Sequence, residues 1–180
     1  NKLFSYFNKL KPVNKLQKLI NEVKKELPEK NNLIGIHLRH WPVNPVNHPQ
    51  QVSQQKNKEF YDCRIKLMNQ EIEKNNKVRF FISTTDKKEL NNLIHLFPNR
   101  IIYFKNRLGN NEDDKYYLPT KNSNCNKFKN LNGVIDLFLL SECPIIYIEK
   151  NSSYSVCAKY IGNSNIQEIE FDGKIIDRKN

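Results

Sequence analysis

Apolar positions along this chain fall into short blocks whose period alternates between helical and extended. Leu10, Val13, Leu16, Leu19, Ile20, Val23 and Leu27 recur at roughly helical spacing and predict a helix within residues 4–27. Pro12 is expected to mark the start of its main part, at the first turn, and Pro28 to close it. The continuous apolar run from Leu33 to Leu38, bounded by Asn-rich sequence, predicts a buried strand. A long loop should follow from Arg39 to Lys56, carrying Pro42, Pro45 and Pro49. Further helices are predicted over 59–75, 87–97, 129–141 and 154–161, and further strands over 78–83, 100–104, 144–149 and 166–171. Residues 106–126 read as polar and irregular, with an acidic patch at Glu112, Asp113 and Asp114. Strands that alternate with helices need crossover connections, so the predicted fold is a Rossmann-like α/β domain over residues 1–180, with a mostly parallel sheet flanked by helices.

Composition adds limits to this picture. With 38% hydrophobic and 27% charged residues the chain is globular, and no apolar run approaches the roughly 20 residues of a membrane helix. No signal peptide is read, and the compartment is left open. The chain starts at Asn1 without Met, so we expect a piece excised from a longer chain. The net charge of +11 fits either a funnel for a phosphorylated ligand or lysines that simply face solvent. Those lysines concentrate locally at 9–30, 121–129 and 174–179 but are otherwise spread out, so no specific nucleic-acid partner is expected. Cys63, Cys125, Cys143 and Cys157 are far apart and form no C-x-x-C pair, which argues against a metal site. Cys143 and Cys157 read as small core residues.

In an open parallel sheet, ligands bind beyond the carboxyl ends of the strands. That rule selects the turn at His37–His40, the turn at Ser83–Asp86, the loop after Phe104 and the turn at Asn151–Ser155. No G-x-G-x-x-G or Walker loop is present, which removes the usual support for NAD or ATP. Alternation puts His37 and Arg39 on one side of their strand end, where an Arg could fork onto a phosphate or pair with a local carboxylate. Asp86 or Thr85 could cap the following helix, or border a pocket. Ser152 to Ser155 could likewise cap a helix, or offer hydroxyls and unpaired N–H groups to an anion. Asp136 lies in a strongly apolar helical stretch, where a buried carboxylate is costly without a partner.

Taken in order, these segments resemble a known family. Leu33-Ile34-Gly35-Ile36-His37-Leu38-Arg39 resembles the strand and H-x-R motif of the GDP-fucose-dependent fucosyltransferases, the α1,2-, α1,6-, protein O- and nodulation enzymes. Phe80 to Asp86 is similar to their second motif, and Gly133 to Ser141, with the later Ser152-Ser153-Tyr154-Ser155 turn, to their third. The likeness spans about residues 4–161 and implies the C-terminal, donor-binding half of a GT-B glycosyltransferase. It implies an inverting, metal-independent transfer from GDP-fucose or a related nucleotide sugar to a hydroxyl of a glycan or protein, with no cofactor. By the same resemblance Arg39 would bind the β-phosphate and stabilise the leaving GDP, a catalytic role. His37 and Asp136 would contact the nucleoside, Ser152, Ser153, Tyr154 and Ser155 the phosphates, and Asp86 the pocket edge. An N-terminal acceptor domain would lie outside this chain. Where many relatives continue with a second Arg and an acid, this chain has His40, Trp41 and Pro42. The alternative implied by the same fold is a catalytically inactive nucleotide- or glycan-binding module.

Overall fold

The computed structural model describes residues 6–7, 9–38, 54–84, 86–105, 123–149, 152–162, 165–169 and 175–177. Its helices are α1 (Asn14–Lys24), α2 (Gln54–Lys74), α3 (Lys87–Leu96), α4 (Ser123–Leu140) and α5 (Ser153–Gly162). Its strands are β1 (Leu33–Leu38), β2 (Arg79–Thr84), β3 (Ile101–Ile102), β4 (Ile145–Glu149), β5 (Asn165–Ile169) and β6 (Ile175–Asp177). They form one sheet in the order β3-β2-β1-β4-β5-β6, parallel except for β6, which pairs antiparallel with β5. The predicted α/β sandwich is therefore the observed one.

Alternation along the strands sorts the core into two layers. On one face Leu33, Phe81, Ile146 and Ile148 pack with Leu16, Ile20 and Val23 of α1, Ile135, Leu139 and Leu140 of α4 and Ala158 of α5. On the other face Ile34, Ile36, Leu38, Phe80 and Ile82 pack with Leu67 and Met68 of α2 and Leu90 and Leu93 of α3. All six residues of β1 are buried, as a central parallel strand covered on both sides requires.

Gly35 brings α4 down onto this strand. A Cβ there would lie 2.7 Å from Leu140 Cδ1 and 3.0 Å from the Cβ of Cys143. At Gly162 the approach is tighter still: a Cβ would fall 1.7 Å from the Ser141 carbonyl oxygen, so only glycine lets the end of α5 pass the end of α4.

Several predicted boundaries are corrected. Residues 6 and 7 are helical, but α1 begins only at Asn14, with extended Val13 as its N-cap, so Pro12 precedes the helix instead of lying in its first turn. Leu10 and Val13, counted as apolar helix positions, are exposed. Helix α2 starts at Gln54 and α4 at Ser123, taking in residues expected to be loop, because their polar first turns carry no apolar period. Strand β3 is two residues long, against five expected, and β6 was not expected. Residues 39–53 and 106–122 lie outside the described residues.

Candidate functional site

The chain builds β1, β2 and β3 outward in one direction and then returns to place β4 on the other side of β1. The switch point lies between the carboxyl ends of β1 and β4, where open α/β sheets form their binding crevice. His37, the penultimate residue of β1, pairs in register with Ser83 of β2 and Ile148 of β4. It shares the strand face of Leu33 and Gly35, toward α4 and α5. Arg39, two residues on, lies outside the described residues.

Ser152 caps α5. Its Oγ accepts the backbone N–H of Ser155 at 3.4 Å, and its carbonyl accepts that of Val156 at 3.2 Å. This first turn also grips the imidazole. His37 Nδ1 lies 2.8 Å from Ser155 Oγ and 3.0 Å from Ser152 Oγ, and the two hydroxyl oxygens are 3.1 Å apart. His37 is 8% exposed, Ser152 2% and Ser155 0%, so the three polar atoms meet in the protein interior. Tyr154 completes the enclosure. Its ring stands 4.8 Å from the imidazole centroid at an interplanar angle of 35°, and its hydroxyl donates to the Gly133 carbonyl at 2.7 Å. Ser153, one position along the turn, is exposed.

Asp136 belongs to the same neighbourhood. It is buried on α4, one helical turn before the Leu140 that sits on Gly35. Because a crossover helix runs against the strands it joins, this turn carries Asp136 toward the carboxyl end of β1.

The structure thus brings His37, Asp136, Ser152, Tyr154 and Ser155 to one sheet edge. The Ser152, Tyr154 and Ser155 hydroxyls, expected to face a ligand, are engaged within the protein. Asp86 is the N-cap of α3: its Oδ1 accepts from the Glu89 backbone N–H at 3.0 Å, while its own N–H donates to Thr84 Oγ1 at 3.1 Å. Of its two sequence readings, the cap is the one with geometry behind it.

Two polar clusters elsewhere were missed from sequence. Arg64 of α2 and Glu89 of α3 form a buried ion pair, and burial together with the nearby Glu89 charge pushes the Tyr61 phenol up. The buried Tyr147 hydroxyl donates to Glu71 Oε1 at 3.1 Å, and Lys74 reaches the same oxygen at 2.7 Å. A tyrosine spaced 76 residues from its carboxylate leaves no local signal. Burial pushes the Cys143 thiol far above the ordinary thiol range and raises that of Cys157, so neither has the lowered pKa of a nucleophilic cysteine. Among the described residues no group of three or more His, Cys, Asp or Glu side chains could hold a metal ion, and no helix is long and apolar enough to cross a membrane.

No protein-family model and no curated protein sequence matches the chain. Solved structures do. The NodZ α-1,6-fucosyltransferase soaked with GDP-fucose aligns with a TM-score of 0.58 at 17% identity, over 94% of this chain and 50% of that one. A selenomethionine structure of fucosyltransferase NodZ from Bradyrhizobium gives 0.62 at 17% identity, over 96% and 51%. A mutant of Arabidopsis thaliana FUT1 in complex with GDP gives 0.54 at 11% identity, over 88% and 33%. The chain has a fucosyltransferase-like fold and spans about half the length of the NodZ chains it matches.

Proposed function

We propose that residues 1–180 form one nucleotide-sugar-binding domain, the C-terminal donor half of a GT-B, fucosyltransferase-like enzyme. The observation that carries this reading is the enclosed His37 cluster at the β1–β4 switch point, in a fold shared with fucosyltransferases seen with GDP and GDP-fucose. In this reading Arg39 forks onto the β-phosphate and stabilises the leaving GDP with charge-assisted hydrogen bonds. Asp136 accepts from guanine N–H donors, and His37 contacts the nucleotide. Ser153 and the backbone N–H groups of residues 152–154 meet the phosphates, where the start of α5 favours negative charge. Tyr154 walls the imidazole, and Asp86 holds α3 at the border of the site.

The reaction proposed is an inverting displacement without a metal. An acceptor hydroxyl oxygen bonds to the sugar C1 as the bond from C1 to the β-phosphate oxygen breaks, and GDP leaves with that electron pair. The acceptor proton passes to a base that none of the residues above is proposed to be. A second reading is a binding module of the same fold, which binds GDP without turnover.

Calorimetric titration with GDP, GDP-fucose and UDP, each in EDTA, tests the proposal. Guanine-selective binding that survives EDTA and weakens about 10- to 100-fold in Arg39→Ala is expected, the worth of one or two charge-assisted hydrogen bonds. Folded protein that binds none of the three would refute the site.

A further inference from the structure

Ser152 and Ser155 are buried hydroxyls, and a hydroxyl proton in such a place needs an acceptor. Three acceptor positions lie within reach of one another: His37 Nδ1 and the two serine oxygens. The protons can be counted in both neutral forms of the ring. If Nδ1 carries the ring proton it donates to a serine. One hydroxyl can then donate to the other, and the second hydroxyl proton has no acceptor in the cluster. If Nδ1 is bare, Ser155 donates to it across the shortest contact, 2.8 Å, and Ser152 donates to Ser155 Oγ at 3.1 Å. Ser152 Oγ meanwhile accepts the Ser155 N–H, so both hydroxyl protons are placed and the ring proton sits on Nε2, outside the three-atom cluster.

We infer that Ser155, backed by Ser152, is a positioning residue that holds neutral His37 in the tautomer with its proton on Nε2. The imidazole thereby becomes a hydrogen-bond donor at Nε2, suited to an oxyanion or carbonyl oxygen and unsuited to a donor group. The serines act on a ligand through the ring. The partner this selects, an acceptor oxygen of a phosphate or base, rests on the nucleotide reading above; the tautomer itself does not.

The test uses the ligand-free full chain labelled with 15N-histidine. Long-range proton–nitrogen correlation distinguishes a protonated from a bare ring nitrogen, and His37→Asn identifies the His37 signals among those of the four histidines. At a pH where His37 is neutral, wild type is expected to show a bare Nδ1 and a protonated Nε2, with Ser155→Ala and Ser152→Ala each moving the ring toward a tautomer mixture. A purely structural role would lower the melting temperature and leave the tautomer where it was. A protonated Nδ1 in wild type, or an unchanged tautomer in both variants, overturns the inference. The wild-type spectrum decides the tautomer alone should a variant fail to fold. Titration with GDP is the separate arm: Ser155→Ala is expected to bind about fivefold more weakly, the worth of one hydrogen bond. Absence of GDP binding in wild type would sink the nucleotide reading while the spectrum still judges the tautomer.

Discussion

The two helical layers both bury polar groups, but they satisfy them differently. In the α2 and α3 layer a buried charge meets a charge, Arg64 with Glu89, and the Glu71 carboxylate of α2 takes the Tyr147 hydroxyl of β4 along with the exposed Lys74. Around α5 the buried groups are hydroxyls gathered on one imidazole at the carboxyl end of β1. An ion pair commits both partners to each other, and breaking one strands a charge. Hydroxyls can donate or accept, so a cluster of them orients a ring and leaves it able to act on something else. Burial of polar atoms alone therefore does not locate a site here; the chemistry of the partners and their place on the sheet do.

Substitutions in the two layers should separate accordingly. The largest loss is expected from Glu89→Ala, which removes the buried carboxylate paired with Arg64: about 3–5 kcal/mol by urea unfolding. GDP affinity per folded molecule should be unchanged, and a parallel loss of affinity would break the comparison. Gly35→Ala pushes a methyl into Leu140 at the floor of the site and should cost about 1–3 kcal/mol. Because it moves α4, it should weaken GDP binding as well. Asp86→Ala removes a helix cap and is expected to cost about 1 kcal/mol with no change in affinity. An affinity change would return Asp86 to the pocket edge. The pH dependence is smallest near neutrality. Cys143 titrates higher folded than unfolded, so its contribution is whole below the ordinary thiol value of about 9 and is lost as pH rises above it. Its share of the slope, at most about 1.4 kcal/mol per pH unit, should be lost in Cys143→Ala, leaving the smaller slope of the raised Cys157 thiol and Tyr61 phenol.

Much of the layer structure was legible in the sequence because it rests on local periodicity. Leu33–Leu38 could be read as a buried central strand, and β1 occupies those residues exactly as bounded. The apolar run in α4 was legible too, but its polar first turns were not, since helix there is set by continuation from the packed end. The two-residue β3 and the antiparallel β6 depend on which neighbour pairs with them, which no short window encodes. For the site, the sheet-edge rule picked out His37 and Ser152 to Ser155, and a costly acid in an apolar helix picked out Asp136. Their contact was not legible. His37 and Ser155 are separated by 118 residues, and either a cap or an anion site explained the serines until the imidazole was seen between them.

The placement of His37 has a consequence for hydrogen exchange. Strand β1 is paired on both edges and covered on both faces, so its amides belong to the part of the molecule that exchanges only when the whole domain opens. The backbone beneath the imidazole is then expected to exchange at the slowest rates in the chain, with or without a ligand. Whatever adjusts when something binds is then expected to come from the opposing side of the crevice, because the histidine stands on a strand paired on both edges and buried along its whole length.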